Sequence, residues 1–292
     1  MEPQEASESK KHVCYDPEKD IFFEVDSLTE LKEYDEIYLD SSIFQNIWQQ
    51  LGELISNDKR VYYFTKPWKW KEVRERFREG LKAKIDRVSK SDEGDAYLLW
   101  KVYELSLVKG NTHKYFIILL TTIDVELRPL LIREKILYRG LQRIRNADMF
   151  DINVRSDVRM LEKMVEDVRR EIVEKAIKLI PRFIDVVKSL ELDIDDINGL
   201  TGLAGLLVYD KSTSYQKSVK YLGLYKPRGR DGRKMKKYYS RKAQRYLMML
   251  TSAILWKNSE LRPPRYKDMR RVLRMLIEAR KQMWLAGDGA GT

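Results

Sequence analysis

The sequence predicts an α/β domain in the first third of the chain and an almost wholly helical remainder. Between residues 11 and 108, short β-prone runs alternate with segments of helical periodicity, which is typical of an α/β sheet. From about Lys114 onward, apolar residues recur at helical spacing. A third observation is electrostatic, since the segment from Lys217 to Arg245 is densely basic.

The folded part of the chain is expected to begin with a β-hairpin. Strands are predicted at residues 12–15 and 20–25, joined by an Asp-Pro-Glu-Lys turn at residues 16–19 whose proline presets φ. A short helix follows. Ser27 is a good N-cap for it, and Glu30 three residues later completes a capping box.

Two further strands and three helices complete the predicted α/β domain. The strands are expected at residues 36–39 and 61–64. The helices are expected at about residues 42–55, 67–88 and 92–107. Ser41 or Ser42 would cap the first of these helices, and Pro67 would open the second.

The middle of the chain predicts two long amphipathic helices. They are expected at about residues 114–147 and 153–188, with a break near residues 146–151. Long antiparallel helices make a stalk, a coiled-coil dimer contact or a bundle. Packing as a bundle on the sheet and dimerisation both remain open at this point.

The C-terminal region begins near Leu192 and is predicted to contain a helix, a glycine turn and a second helix. Gly199 and Gly202 can adopt positive φ and allow close backbone approach, so exposed amides there could hold a phosphate. Helices are expected to start at Tyr215 and Arg241, and a last helix is expected at about residues 266–284.

The basic segment from Lys217 to Arg245 predicts contact with nucleic acid. It carries twelve lysines and arginines and one acid, so its net charge is +11. This equals the formal net charge of the whole chain. Tyrosines lie between these charges and can stack on bases. The alternatives are a solvated loop or a contact with acidic protein or lipid. The cations expected at the phosphate backbone are Lys226, Arg228, Arg230, Arg233, Lys234, Lys236, Lys237, Arg241, Lys242 and Arg245.

Composition argues against several classes of protein. The single cysteine, Cys14, cannot form an internal disulfide, and two histidines argue against a zinc site or a Cys/His catalytic pair. No run of about 18 apolar residues occurs, so no membrane-spanning helix is expected. The polar N-terminus lacks the apolar core of a secretory signal, which predicts a cytoplasmic protein. Nucleotide-binding glycine loops and the G-x-S-x-G motif are missing from the sequence.

Four aspartates are the candidate catalytic groups. Asp16 and Asp40 follow predicted strands, and Asp92 and Asp95 lie three apart at the start of a helix. Carboxylates brought together at one sheet edge would hold hard cations such as Mg²⁺, and a pair of these ions can cleave phosphodiesters. The alternative is that they are ordinary turn and cap residues, with Asp92 a helix N-cap beside Ser91.

Three stretches of the chain occur in an order found in a known family. Residues 90–99 read KSDEGDAYLL, residues 197–206 read INGLTGLAGL, and residues 215–227 read YQKSVKYLGLYKP, followed by a basic loop and helix at 230–247. They resemble the K-T-D-x-x-D-A-x-x-L, I-P-G-I-G and Y-x-G-L-x-P motifs of the DEDD transposases of bacterial and archaeal insertion sequences, which are related to the Piv DNA invertase.

The resemblance implies a particular domain order. An RNase H/RuvC-like α/β domain is expected over residues 11–110 and a coiled-coil-like helical stalk or dimerisation segment over residues 111–190. A mostly α C-terminal transposase-type DNA-binding domain with a helix-hairpin-helix is expected over residues 191–285. A disordered tail at residues 1–10 and a flexible tail at residues 286–292 complete the chain.

The resemblance also implies a metal site. The family's catalytic metal ligands match Asp16, Asp92 and Asp95, and they would hold Mg²⁺ or Mn²⁺. The family's second acid is normally Glu, whereas the matching strand end here offers Asp40, which is one methylene shorter. Glu24 and Glu36 are weaker alternatives.

The function that the resemblance implies is a DNA transposase or site-specific recombinase, with Mg²⁺-dependent strand cleavage and transfer. DNA, a structured RNA and a second copy of the chain, bound through the helical segment, would be its partners, with no membrane. The family's loop serine nucleophile is missing, because residues 228–234 read RGRDGRK, and Ser240 is interpreted as a helix cap. The alternatives are a degenerate copy, a non-catalytic nucleic-acid-binding protein on the same scaffold, or a RuvC-like nuclease.

Overall fold

The computed structural model describes residues 11–40, 47–64, 70–86, 90–108, 118–148, 155–212, 214–225, 239–256 and 264–285. The chain divides into two compact units, Met1–Val125 and Glu126–Thr292. The division falls inside one long helix, α5, which runs from Thr122 to Asp148. Each unit has its own buried apolar residues.

The first unit combines short strands with helices. Its strands in the described residues are β1 (His12–Asp16), β2 (Ile21–Val25), β3 (Glu36–Leu39), β4 (Arg60–Tyr63) and β5 (Ile118–Leu119). Its helices are a 3-10 helix (Leu28–Glu33), α1 (Ile47–Ser56), α2 (Trp70–Arg76), α3 (Arg78–Ile85), α4 (Asp92–Val108) and the first turn of α5.

The N-terminal hairpin is confirmed. Strands β1 and β2 pair antiparallel with His12 opposite Val25 and Asp16 opposite Ile21. The predicted capping box of the next helix is also present, since Ser27 and Glu30 bond to each other's backbone amides. These features depend on neighbours in sequence, which is why the local pattern predicts them.

The expectation of an RNase H/RuvC-like sheet is wrong. In the described residues the hairpin is a separate two-stranded sheet, and β3, β4 and β5 form a three-stranded one. Strand β3 pairs parallel with β4, joined through α1, and the two-residue β5 pairs antiparallel with β4. The alternating sequence pattern corresponds to one βαβ unit and, separately, to a β-hairpin whose two strands form their own sheet. Within the part of the chain that the structure describes, no central sheet carries the predicted carboxylates, because β1 does not pair with β3, the strand that precedes Asp40.

Helix α4 provides much of the core of the first unit. Tyr97, Leu98, Leu99 and Val102 of this helix are buried, together with Phe64 and residues of α2 and α3. The charged helix predicted at residues 67–88 is two helices, α2 and α3, separated at Phe77. Ser41, Ser42 and Pro67 lie outside the described residues.

The second unit is helical throughout its described residues. Its elements are α5 from Glu126 onward, α6 (Arg155–Leu179), α7 (Phe183–Ser189), α8 (Ile197–Tyr209), α9 (Tyr215–Tyr221), α10 (Arg241–Trp256) and α11 (Tyr266–Leu285). The two long predicted helices correspond to α5 and α6, although the second ends at Leu179 and is followed by the separate helix α7. No helix in the described part of the chain is both long and apolar enough to cross a membrane.

The predicted helix-hairpin-helix is wrong, since residues 197–209 form the single helix α8. Gly199, Gly202 and Gly205 lie on the face of α8 that packs on α10. A Cβ at Gly202 would lie 2.7 Å from the Leu250 amide nitrogen, and one at Gly205 would lie 2.5 Å from the Tyr246 ring. The glycines therefore permit close helix packing instead of a turn, and Gly199 and Gly202 are buried rather than available to a phosphate.

The substitution Gly202→Ala should lower the free energy of unfolding by about 1–3 kcal/mol, because the added methyl group would overlap the backbone of α10. Gly140 in α5 is the matched control, since a Cβ there would come no closer than 3.9 Å to Leu161. Gly140→Ala should stabilise the helix by about 0.5–1 kcal/mol. Urea denaturation of both variants measures the difference, and an unchanged stability for Gly202→Ala would contradict the packing role.

Candidate nucleic-acid interface

A buried carboxylate, Glu134 of α5, connects three helices of the second unit. Its side chain is 0% exposed. Arg245 of α10 donates to both carboxylate oxygens, from Nη1 at 2.5 Å and from Nη2 at 2.8 Å. Arg169 of α6 donates to Oε1 from Nε at 3.0 Å and from Nη2 at 2.7 Å. Nη1 of Arg169 also donates to Asn198, which links α8 to the same junction.

The charge balance of this junction favours the ionised carboxylate. Burial alone would raise the pKa of Glu134, but the hydrogen bonds and charges of Arg245 and Arg169 outweigh it and hold the pKa below its ordinary value of 4.5. The two guanidinium groups also lie over the ring of Tyr138, at 5.0 Å and 5.3 Å from its centroid. Two arginines share one carboxylate, so the junction retains positive charge.

Beside this junction lies a small cavity, which we call the basic pocket. Its volume is about 130 Å³. Four of its lining side chains are cationic, and none of the described residues that line it is acidic. The lining residues come from α5, the end of α8 and the start of α10: Ile132, Lys135, Ile136, Arg139, Tyr209, Lys242, Arg245 and Tyr246.

The cations of the basic pocket repel one another. Desolvation lowers the pKa of Lys135, and the charges of Arg139, Lys242 and Arg245 lower it further. Partial desolvation lowers the pKa of Lys242, and the buried Arg128 adds to the shift. Both lysines would be stabilised by an anion placed between them, because the anion would offset this repulsion.

Aromatic rings form the apolar part of the basic pocket. Tyr246 is 2% exposed, and its hydroxyl donates to the carbonyl oxygen of Leu131 at 3.0 Å. Tyr209 stacks on Tyr246 with centroids 5.8 Å apart, and the guanidinium of Arg128 lies 5.3 Å from the Tyr209 centroid. Because these rings are held by packing and a hydrogen bond, the pocket has a rigid base.

Three cations predicted at the nucleic-acid surface lie at the start of α10. Arg241 and Lys242 are exposed, whereas Arg245 is largely buried and bonded to Glu134. Ser240 is confirmed as a cap, because its Oγ accepts from the Ala243 amide at 3.2 Å. The other predicted cations lie outside the described residues: Lys226, Arg228, Arg230, Arg233, Lys234, Lys236 and Lys237.

Sequence reasoning missed the α5 side of the basic pocket. Lys135 and Arg139 are one helical turn apart on α5, with Ile132 and Ile136 on the same side. The four-residue spacing of Lys135 and Arg139 was a signal available in the sequence, whereas the 64% exposure of Ile136 between them is seen only in the structure. The pairing of this face with α10 could not be read from local spacing.

The four aspartates predicted as metal ligands occupy different environments. Asp16 ends β1 and is 3% exposed. It accepts hydrogen bonds from the Glu18 and Lys19 amides at 2.9 and 3.2 Å and from the Tyr34 hydroxyl at 3.0 Å. Burial alone would raise the pKa of Asp16, and these hydrogen bonds hold it below its ordinary value. Asp16 is therefore used in the hairpin turn.

The structure brings Asp40 and Asp95 within electrostatic range of each other. Desolvation raises the pKa of Asp95, Arg74 opposes the rise through an ion pair, and the charge of Asp40 adds to it. Asp92 is exposed at the start of α4, where Ser91 accepts from the Gly94 amide at 3.0 Å. Within the described ranges, no three His, Cys, Asp or Glu residues form a group that could hold a metal ion.

Comparison with known proteins adds no family to this description. No protein-family model matches the chain, and no curated protein matches it. The resemblance to the DEDD transposases therefore stays an expectation that depends on three short motifs. The function has to follow from the charge and shape of the site.

The substitution Glu134→Gln should lower the free energy of unfolding at pH 7 by about 3 kcal/mol, because it leaves two largely buried arginines without a counter-charge. The pKa of Glu134 is lowered in the folded state, so its stabilisation is complete above 4.5 and is lost as pH falls further. The stability difference between wild type and variant should therefore shrink in acid. Denaturant unfolding at several values between about pH 3 and pH 7 measures this difference.

The matched control is Glu166→Gln. Glu166 pairs with Arg170 at 2.6 Å on the surface of α6, with both side chains more than half exposed. An exposed pair of this kind contributes only about 0.3–0.5 kcal/mol. Two outcomes would contradict the stabilising role of the Glu134 junction. One is an equal loss of stability from the two substitutions, and the other is a stability loss in Glu134→Gln that does not change with pH.

Proposed function

We propose that the second unit binds nucleic acid through its phosphate backbone, with the basic pocket and the adjoining basic segment as the contact surface. The observation that carries this proposal is the convergence of Lys135, Arg139, Lys242 and Arg245 on one cavity without a lining acid among the described residues. Proteins place cations so close together when an anion occupies the space between them.

The sequence around the basic pocket supports a polyanion over a single small anion. Lys242 and Arg245 are the last two cations of the segment from Lys217 to Arg245, which holds twelve lysines and arginines and one acid. One phosphate would neutralise only the pocket. A chain of phosphates could contact the pocket and the remaining cations together, and each contact would release a condensed counterion.

Apolar side chains beside the cations support nucleic acid over other polyanions. Ile136 is 64% exposed at the mouth of the basic pocket, and Tyr209 is half-buried in its wall. Sugars and bases offer apolar surface next to each phosphate, which such side chains can cover. An inorganic polyphosphate or a sulfated polysaccharide offers much less.

Metal-dependent strand cleavage and transfer stays a prediction outside this proposal. Asp95 is paired with Arg74, and Asp16 is satisfied by the hairpin turn, so neither has the excess negative charge that recruits Mg²⁺. The proximity of Asp40 and Asp95 is the observation in its favour.

Binding of a labelled DNA or RNA should persist in EDTA and weaken as salt increases. A plot of the logarithm of the binding constant against the logarithm of the salt concentration should have a negative slope. For a single strand, the size of this slope should be about 0.7 for each phosphate contact. Lys135→Gln combined with Lys242→Gln should weaken binding about tenfold and reduce this slope by about one to two. Fluorescence anisotropy at four salt concentrations, chosen roughly between 50 and 200 mM, measures both values.

The matched control is Lys178→Gln combined with Lys188→Gln, which removes two exposed cations of the same unit away from the basic pocket. This control lowers the net charge by the same amount as Lys135→Gln combined with Lys242→Gln. It should change the salt dependence of binding little. Equal effects of the two double variants would show that total charge matters and the pocket does not. Absence of binding by the wild-type protein at low salt would overturn the proposal.

The recombinase prediction has a separate test. Wild-type protein would be incubated with supercoiled DNA and Mg²⁺ or Mn²⁺, and DNA that stays intact would count against the carboxylate mechanism while leaving the binding proposal unaffected. Metal-dependent nicking that disappears in Asp92→Ala combined with Asp95→Ala, while DNA binding is retained, would establish the carboxylate mechanism instead.

A further inference from the structure

Resting on the proposed function, we infer that the basic pocket receives the terminal phosphate of a nucleic-acid strand in preference to an internal phosphodiester. The ligand class is a strand that ends in a phosphomonoester, at its 5′ or 3′ end. Three properties of the pocket carry this inference: its size, the arrangement of its cations, and the apolar side chain at its mouth.

The size of the basic pocket fits one small group. Its volume of about 130 Å³ is comparable to an engineered cavity of about 150 Å³ that holds a single benzene. A phosphate can enter a space of this size. An internal phosphodiester brings a nucleotide on each side, so it would need two exits, whereas a terminal phosphate needs one.

The cations surround the cavity from two helices. Lys135 and Arg139 approach from α5, and Lys242 and Arg245 approach from α10. A terminal phosphate carries about −1.5 to −2 charges and three free acceptor oxygens, whereas an internal one has a single charge. Cations contributed by two helices can donate to several of these oxygens together, which favours the more highly charged group.

The base and mouth of the pocket differ in polarity. Tyr246 is 2% exposed and lies deep in the pocket, and half-buried Tyr209 stacks on its ring. Ile136 at the mouth is exposed and can cover the sugar of the terminal nucleotide. The strand would then continue outward from the pocket.

The relief of repulsion gives the terminal phosphate a further advantage. Desolvation lowers the pKa values of Lys135 and Lys242, and neighbouring charges lower them further: Arg139, Lys242 and Arg245 act on Lys135, and Arg128 acts on Lys242. A dianion between the helices offsets more of that repulsion than a monoanion does. Arg245 is already bonded to Glu134, so Lys135, Arg139 and Lys242 are the cations that respond to the ligand.

Competition binding with four single-stranded oligonucleotides of one sequence tests this inference. They carry a 5′-phosphate, a 3′-phosphate, two hydroxyl ends, or two hydroxyl ends and two extra internal nucleotides. The last adds at least as much negative charge as a terminal phosphate does, without adding a terminal phosphate. We expect a phosphorylated strand to bind about tenfold tighter than both hydroxyl-ended strands. Inorganic phosphate, as a free competitor, should reduce this difference.

The variant for this test is Lys135→Gln combined with Arg139→Gln, because neither residue takes part in the Glu134 junction. It should weaken the binding of every strand, and the ratio between the phosphorylated and the hydroxyl-ended strand should fall from about ten to about one. Circular dichroism establishes that it folds, and Lys178→Gln combined with Lys188→Gln is the control that keeps the preference.

The outcomes separate the inference from the proposed function. If hydroxyl-ended and phosphorylated strands bind equally well, the inference is overturned and nucleic-acid binding stands. If the hydroxyl-ended strand with extra internal nucleotides binds as tightly as the strand with a terminal phosphate, the inference is likewise overturned. If no strand binds but inorganic phosphate protects the fold against heat, the ligand is a small phosphate and both proposals fail. A preference retained in the Lys135→Gln, Arg139→Gln variant would also contradict the pocket as its source.

Discussion

The ion-paired carboxylate of Glu134 is the interaction on which the second unit depends. It lies on α5 without exposure to solvent and accepts from Arg169 of α6 and Arg245 of α10. Removing a charged group from water is costly, and only the two guanidiniums make this position tolerable for a carboxylate. The same contacts fix the spacing of α5 and α10, and this spacing creates the basic pocket. The Glu134 junction and the basic pocket are therefore parts of one arrangement of charges, and they share Arg245.

The basic pocket combines a stable base with an electrostatically strained rim. Tyr246 is packed and hydrogen-bonded, whereas desolvation and neighbouring cations lower the pKa values of Lys135 and Lys242. A protein that needed only stability would gain by replacing one of these lysines with a neutral residue. The cations of the pocket can remain close together if a bound anion offsets their repulsion. Binding of the anion then restores the stability that this repulsion takes from the folded state.

Local features of the fold were predictable from sequence, and long-range ones were not. The hairpin and the capping box depend on residues a few positions apart, so their patterns were sufficient. The RuvC-like sheet was wrong because short strands do not reveal which partner they pair with. Gly202 suits a turn and a close helix contact equally well, and only its approach to α10 distinguishes them. Charge density in the sequence pointed to Lys242, whereas Lys135 and Arg139 joined the site through tertiary packing.

Lysine acylation footprinting with and without a single-stranded oligonucleotide tests the central claim most directly. Lowered pKa values leave more of Lys135 and Lys242 uncharged and nucleophilic, so both should react faster than the exposed Lys178 in the free protein. Saturating oligonucleotide should protect Lys135 and Lys242 and leave Lys178 reactive. Binding that leaves the labelling of Lys135 and Lys242 unchanged, while lysines elsewhere become protected, would contradict the basic pocket as the nucleic-acid site.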